Sequence, residues 1–146
     1  MTNAPARVLA IDFGKARAGI AVSDELGMYA HARPTLDAKN RKALLAAITA
    51  VVRTEGITRI LVGLPLELSG ERGPAARRAL QFAQEIADST GLEVELVDER
   101  LSTVEAGRKL RDSGVPGRKQ QALVDGVAAS VLLQSWLDGR RPNEDT

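Results

Sequence analysis

Hydrophobic and polar positions change their period along the chain. Residues 7–12 form a short apolar run, and over 16–25 apolar residues alternate with small ones, as is typical of buried strands. A third strand is predicted over 28–36, where Pro34 indicates a sheet edge or a strand end. The connections between the three are short, so we expect an antiparallel meander.

Beyond the meander, helical and strand patterns alternate. Apolar residues recur at three- and four-residue spacing in the helices, and two more short apolar runs predict strands. A meander followed by strand–helix alternation implies the α/β class, with a mixed five-stranded sheet and helices on both faces. The chain is expected to form one domain over 1–146. The predicted elements are helices over 40–56, 73–91, 103–114 and 121–139, strands over 58–64 and 92–100, a loop over 115–120 and a frayed tail from residue 139.

Composition narrows the classes of protein that the chain can represent. It has 146 residues, 44% of them hydrophobic, and no cysteine, which excludes disulfides and zinc–thiolate sites and favours a cytoplasmic location. No apolar run approaches the ~20 residues of a membrane span, so no membrane partner is expected. The one histidine, His31, is interpreted as structural, which argues against a histidine-dependent catalytic triad. Asp24 is interpreted as a turn or cap residue.

Acidic residues stand where two predicted strands end. Asp12 closes the first strand, and the neighbours Asp98 and Glu99 close the fifth. In open α/β sheets, sites lie at the carboxyl ends of parallel strands, so these acids should converge. Strand alternation lets only one of Asp98 and Glu99 face inward.

A further acid lies on the last predicted helix. Asp125 shares a helical face with small apolar residues such as Ala128 and Ala129, an unusual setting for a solvated acid. Taken alone, an aspartate before glycine is usually a turn residue, and a helix aspartate is usually on the surface. Together the acids predict an oxygen-only site for Mg²⁺ or Mn²⁺. Two such ions about 4 Å apart promote in-line attack of water on a phosphodiester.

Basic residues accompany the acids. The segment 100–119 holds six basic residues against two acidic ones, and a nucleic-acid backbone is a suitable counter-charge. Aromatic residues make up only 3% of the chain, so recognition by base stacking is not expected. The candidate phosphate-binding residues are Lys15, Arg17, Arg100, Arg118 and Lys119.

Four motifs resemble those of the YqgF/RuvX family, which is related to the RuvC Holliday-junction resolvases. They are "LAIDFGKARAGIAVSD", "LVGLPLELSGERG", "VDERLSTVEA" and "DGVAASVLLQSWLD", and they extend from about residue 7 to 138. The resemblance implies an RNase H-like fold and a metal-dependent nuclease in which Asp12, Glu99 and Asp125 match the acidic positions. Some members are linked to maturation of the small-subunit ribosomal RNA precursor and others to Holliday junctions, and both substrates stay open here.

The resulting hypothesis is an endonuclease that uses two Mg²⁺ or Mn²⁺ ions. Asp12 would bridge the ions, Glu99 would bind on the leaving-group side, and Asp125 would hold the ion on the water side. A resolvase that cuts two strands symmetrically would need to be a homodimer. The chain departs from the family pattern at Ala16, where a basic residue is expected, and at Glu67 and Ser69 in "LPLELSG".

Two alternatives have other functions. "IDFGKARAGIAVSD" also resembles the phosphate loop of the actin and Hsp70 superfamily, although those proteins enclose a nucleotide between two such domains. The second alternative is a catalytically silent protein that binds nucleic acid or takes part in an assembly, since fold alone does not establish activity.

Overall fold

A computed structural model describes residues 7–14, 16–65, 72–99 and 118–139, and for 118–125 it describes the backbone alone. The predicted helix over 103–114 and nearly all of the tail lie outside these residues. The strands and helices are β1 (Val8–Phe13), β2 (Arg17–Ser23), β3 (Ala30–Asp37), α1 (Arg41–Glu55), β4 (Arg59–Leu64), α2 (Pro74–Thr90), β5 (Val94–Asp98) and α3 (Arg118–Asp138).

The five strands form one mixed sheet in the order β3-β2-β1-β4-β5. β1 pairs antiparallel with β2, and β2 pairs antiparallel with β3, which confirms the predicted meander. β4 and β5 are added in parallel beside β1. Pro34 lies within the edge strand β3, where a missing N–H leaves no partner unsatisfied. The carboxyl ends of β1, β4 and β5 therefore share one edge of the sheet.

Side chains of alternate residues cover the two faces of the sheet. On one face, Leu9 and Ile11 of β1 pack with α1 and α2 in the larger buried cluster. On the other, Val8 and Ala10 pack with α3, which buries Ala129, Leu132 and Leu133. Helices thus cover both faces, as predicted. Because residues alternate along a strand, Asp12 continues the α3 face.

The helix ends largely follow the sequence signals. Asn40 caps α1, its side-chain oxygen accepting a hydrogen bond from the N–H of Ala43. Pro74 begins α2, and Gly91 ends it with a φ of 73°. The prediction of a loop over 115–120 was wrong at its end, because α3 begins at Arg118. The residues at 118–120, Arg-Lys-Gln, all have high helix propensity, so nothing in them delays the helix until Gln121.

Asp24 and His31 are two polar residues for which the sequence indicated a structural role. Asp24 turns the chain between β2 and β3, where its Oδ1 accepts a hydrogen bond from the N–H of Met28. That hydrogen bond lowers the pKa of Asp24, which fits its interpretation as a turn residue. His31 is exposed on the edge strand β3. Within the described ranges, no helix has the length and apolar character to span a membrane.

Candidate active site

Asp12 is fully buried near the end of the central strand β1. Glycines flank it in both neighbouring strands. Gly19 of β2 is its partner in the antiparallel pairing. On the other side, Ile11 pairs with Val62, so the next residue of β4, Gly63, lies beside Asp12. The carboxylate of Asp12 therefore lies inside the edge of the sheet. Neither neighbouring position has a side chain that could cover it.

Glu99 follows β5 and is only 2% exposed. Its backbone N–H donates a hydrogen bond to the carbonyl of Leu64, which continues the β4–β5 pairing beyond the strand. Alternation along β5 places Glu99 on the same face as Val97, which packs in the α3 cluster. Asp98 falls on the opposite face. Of the two neighbouring acids, Glu99 is the one that shares a face with Asp12.

Gly63 brings the carboxyl group of Glu99 over the β4 backbone. A Cβ atom at Gly63 would stand 2.6 Å from Cδ and 2.8 Å from Oε1 of Glu99, far inside contact distance. The side chain of Glu99 thus occupies the space that any larger residue at 63 would fill, and it extends back toward β1. Sequence reasoning missed Gly63. The available signal was a glycine inside the buried run "ILVGL", since glycine within a strand often marks a close approach.

The helix α3 runs antiparallel to β1 across this face. Near its end, Trp136 Nε1 donates a hydrogen bond to Glu95 Oε2, close to the start of β5. Asp125 precedes Trp136 by eleven residues, which is three helical turns or about 16 Å along the helix axis, and the next residue, Gly126, lies against Ala32 and Arg33 of β3. The backbone of Asp125 belongs to the described residues, whereas its side chain does not. Its predicted neighbours Ala128, Ala129 and Leu132 are buried.

Of the five predicted phosphate-binding residues, the structure describes the side chain of Arg17 alone. Arg17 begins β2 and is half-buried. It lies two residues from Gly19, the partner of Asp12, and alternation puts it on the Asp12 face. Arg118 and Lys119 lie in the first turn of α3, where the structure describes the backbone alone. Lys15 and Arg100 lie outside the described residues.

The donor atoms at this edge suit a hard divalent cation. Asp12 and Glu99 offer carboxylate oxygens, and oxygen-only donors are the ligands that Mg²⁺ and Mn²⁺ prefer. Burying two carboxylates on one face is costly unless cations compensate them. Among the residues whose side chains are described, no three histidine, aspartate or glutamate side chains form a metal-binding group. Asp125, the third predicted ligand, is not among those residues.

A family model described as RuvX, Holliday junction resolvase, matches residues 6–139. The chain belongs to the RuvX family. A relative from Anaeromyxobacter dehalogenans, named provisionally as a pre-16S rRNA nuclease, is 46% identical over 93% of this chain and 99% of its own length. A relative of the same name from Myxococcus xanthus is 42% identical over 93% of this chain and 90% of its own.

Membership in the RuvX family makes the chain a nuclease that acts on nucleic acid, as the sequence motifs predicted. This decides against the silent-binding and nucleotide-binding alternatives. Among solved structures, RuvC of Thermus thermophilus in complex with a Holliday junction superposes with a TM-score of 0.58, at 16% identity over 93% of this chain and 96% of that one. The fowlpox virus Holliday junction resolvase gives 0.53, at 9% identity over 92% and 99%. These similarities confirm the RNase H-like fold.

Proposed function

We propose that this RuvX nuclease is an endonuclease with two divalent ions, Mg²⁺ or Mn²⁺, held by Asp12, Glu99 and Asp125. The observation that carries the proposal is the burial of Asp12 and Glu99 on one face at the carboxyl edge of the parallel strands. The course of α3 supports Asp125 as the third ligand, because the helix brings that residue toward the same edge. When bound, the ions supply activation of water and stabilisation of charge on the departing 3′ oxygen.

The residues of the chain itself have distinct tasks in this proposal. Asp12 occupies the central strand between two glycines, one of which has Glu99 over it, so Asp12 would be the ligand shared by the two ions. Glu99, lying over Gly63, approaches from β5 and is assigned to the leaving-group side. Arg17, on the same face, is positioned to orient a phosphate by bidentate hydrogen bonds. On the same face, the preceding strand positions Ala10 and Leu61 belong to the buried apolar cluster beneath α3.

The favoured substrate is the precursor of the small-subunit ribosomal RNA. Relatives between 38% and 46% identical carry the pre-16S rRNA nuclease name, and the match extends over nearly all of both chains. Such a substrate would place the protein in the cytoplasm. Four-way DNA junctions are the second candidate, favoured by the description of the family model. A symmetrical double cut in a junction would require a homodimer.

Substitution of single carboxylates tests the assignment of the ligands. Asp12→Asn and Glu99→Gln keep the shape of each side chain and remove its charge. Each should lower metal-dependent cleavage by roughly 10³-fold or more, because the ligand charge is what holds the ions in place. Asp98→Asn is the matched control, since Asp98 is adjacent in sequence but falls on the opposite face of β5. Full activity of Asp12→Asn, or equal losses at Asp98 and Glu99, would refute the assignment.

A panel of substrates tests the proposed specificity. Purified protein is incubated with a ribosomal RNA precursor and with a four-way DNA junction, each with Mg²⁺, Mn²⁺ or chelator, and light scattering gives the oligomeric state under the same conditions. Metal-dependent cleavage of the RNA precursor is the expected result. Paired, symmetrical cuts in the junction by a dimer, with the RNA left intact, would replace the ribosomal substrate by the junction.

A further inference from the structure

A basic cleft opens beside the candidate active site, on the other face of the sheet. It has a volume of about 390 Å³ and is lined by Phe13, Ala38, Lys39, Arg41 and Arg78. Phe13 is the residue after Asp12, so the cleft begins at the end of the same strand. Three of its five lining residues carry positive charge. None of them was among the phosphate-binding residues predicted from the sequence.

Aromatic packing fixes the floor of the cleft. The rings of Phe13 and Phe82 are stacked, with centroids 4.4 Å apart. The guanidinium of Arg41 lies over both, its Cζ 5.4 Å from the centroid of Phe13 and 5.3 Å from that of Phe82. Glu85 Oε1 accepts a hydrogen bond from Arg41 Nη1 at 2.8 Å. Arg41 is therefore held in one place by contacts on several sides, with further N–H donors left over.

The other two cations of the cleft lack carboxylate partners among the described residues. Lys39 and Arg78 are exposed and form no ion pair there. Among the described residues, two acids lie near the cleft: Glu85, which pairs with Arg41, and Asp37, whose Oδ1 accepts a hydrogen bond from the backbone N–H of Lys39. Within that part of the chain, the cleft therefore carries an excess of positive charge.

Three arginines toward the opposite edge of the sheet form ion pairs. Arg7 and Arg33 both pair with Glu55, and Arg59 pairs with Glu93 and Glu95. Among the described residues, two cations without ion pairs thus line the cleft beside the candidate active site, whereas at the far edge these three arginines are paired and Arg53 is not. Such a group of cations beside the Asp12 edge is the expected electrostatic footprint of a polyanion that approaches from that edge.

We propose that the cleft binds the phosphodiester backbone of the nucleic-acid substrate at a position flanking the scissile bond. Lys39 and Arg78 would contact phosphates directly, and Arg41 would donate from its fixed position at the floor. A strand that leaves the active site has only to cross the end of β1 to enter the cleft. The inference rests on the proposed function, since it assumes that the substrate is bound at the Asp12 edge.

The test compares two double variants that lose the same charge. Lys39→Ala with Arg78→Ala removes both unpaired cations of the cleft. Lys42→Ala with Arg77→Ala is the matched control, because these exposed residues lie on α1 and α2 close to the first pair but do not line the cleft. Fluorescence anisotropy measures the Kd for duplex RNA and for oligonucleotides of a few residues over a range of salt concentrations, with cleavage at saturating substrate measured in parallel.

The cleft variant should bind the long duplex roughly tenfold more weakly, and the slope of log K against log salt should fall in magnitude by about 1.8, as for two lost phosphate contacts. The control should change Kd less than twofold. Both should retain the wild-type kcat and thermal midpoint, because neither alters the buried carboxylates. Short oligonucleotides, which end before the cleft, should bind equally well to all three proteins.

Several outcomes would overturn the proposal, and they separate it from the proposed function. Equal losses in the two double variants, with wild-type binding and cleavage intact, would reject the cleft and leave the nuclease assignment standing. If the cleft variant loses as much affinity for a mononucleotide or for inorganic phosphate as it does for the duplex, the cleft is a site for small anions. If the cleft variant loses affinity only for polyglutamate, measured as a second polyanion, the cleft binds an acidic protein partner. Failure of the unmodified protein to bind any nucleic acid would refute both proposals.

Discussion

At the scale of single residues, the candidate site depends on two glycines, Gly63 and Gly19, as much as on its carboxylates. Gly63 leaves open the volume that the Glu99 carboxyl group occupies, and Gly19 stands opposite Asp12 in the neighbouring strand. A buried acid reaches its position only where the adjoining strands provide space. The two glycines are therefore part of the site, although neither carries a functional group.

We predict that Gly63→Ala lowers nuclease activity far more than it lowers stability. The added Cβ would overlap Cδ of Glu99, and the flexible end of that side chain is what would move. A displacement of about 1 Å at a reacting centre can cost on the order of 10²-fold in rate. Activity assays, thermal melting and Mn²⁺ affinity by calorimetry measure the effect, with weaker Mn²⁺ binding expected alongside the lost activity.

Val62→Ala, on the same strand, is a control that should lower stability and leave activity unchanged. Val62 is fully buried on the other face of β4 and packs in the larger cluster. Its truncation should destabilise the fold by roughly 2 kcal/mol and leave the activity of the folded protein close to normal. If Gly63→Ala instead destabilises the chain as Val62→Ala does and keeps its Mn²⁺ affinity, Gly63 has a packing role alone.

At the scale of elements, one glutamate connects α1 to β3 and to the residue before β1. Glu55, the last residue of α1, accepts hydrogen bonds from Arg33 Nε at 2.9 Å and Nη2 at 2.7 Å. Arg7 also donates to the Oε1 of Glu55 and to its backbone carbonyl, and so covers an otherwise unpaired helix end. The hydrogen bonds from Arg33 are the main cause that lowers the pKa of Glu55.

We predict that Glu55→Gln destabilises the protein at pH 7 by roughly 1 kcal/mol, a reduced value because the pair is partly exposed to water. Since the folded pKa of Glu55 lies below its ordinary value of 4.5, the ionised side chain stabilises the fold above that pH. The stabilisation is lost as the pH falls through the lowered pKa. Urea titrations of both proteins between pH 7 and pH 3.5 should give a gap that narrows with acid.

A constant gap across that pH range would mean that the charge of Glu55 contributes nothing and that only its hydrogen-bonding geometry counts. Glu25→Gln is a suitable control because Glu25 is exposed in the turn after β2. It should leave stability within about 0.5 kcal/mol of the wild type at every pH.

At the scale of the whole molecule, the strand order decides which acids meet. β1 lies in the middle of the sheet, between the meander and the parallel pair, so Asp12 has a strand on each side. β5 lies two places away, and the side chain of Glu99 spans the intervening β4 by crossing Gly63. Residues 87 positions apart in the sequence thereby come to one edge.

Binding of metal to this edge should stabilise the whole fold. A ligand that binds only the folded chain adds about 2.7 kcal/mol at a free concentration of a hundred times Kd. For a chain of this length, that corresponds to a rise of roughly 5–10 °C in the thermal midpoint. We predict such a rise with Mn²⁺, its loss in Asp12→Asn and Glu99→Gln, and its retention in Asp98→Asn. A rise of the same size in all four proteins would place the bound ion elsewhere.

The sequence by itself determined the class of fold, the positions of the described elements and the identity of the candidate acids. Short-range patterns carry this information: an apolar run predicted β1, alternation predicted β2, helical spacing predicted α1 and α2, and Pro74 and the glycines marked helix ends. The start of α3 was predicted three residues too late because the helix-breaking Pro116 and Gly117 precede it, whereas residues 118–120 themselves have high helix propensity.

Only the tertiary structure decided how the acids are presented. Strand alternation lets only one of Asp98 and Glu99 face inward, and the sequence motif favoured Glu99, but it is the pairing of β5 with β4 that puts Glu99 on the α3 face. The roles of Gly63 and of the cleft at Arg41 depend on contacts between residues far apart in the chain, which no local pattern contains. Local periodicity specifies which face of an element is buried, whereas the space beside a carboxylate is set by the strand that packs next to it.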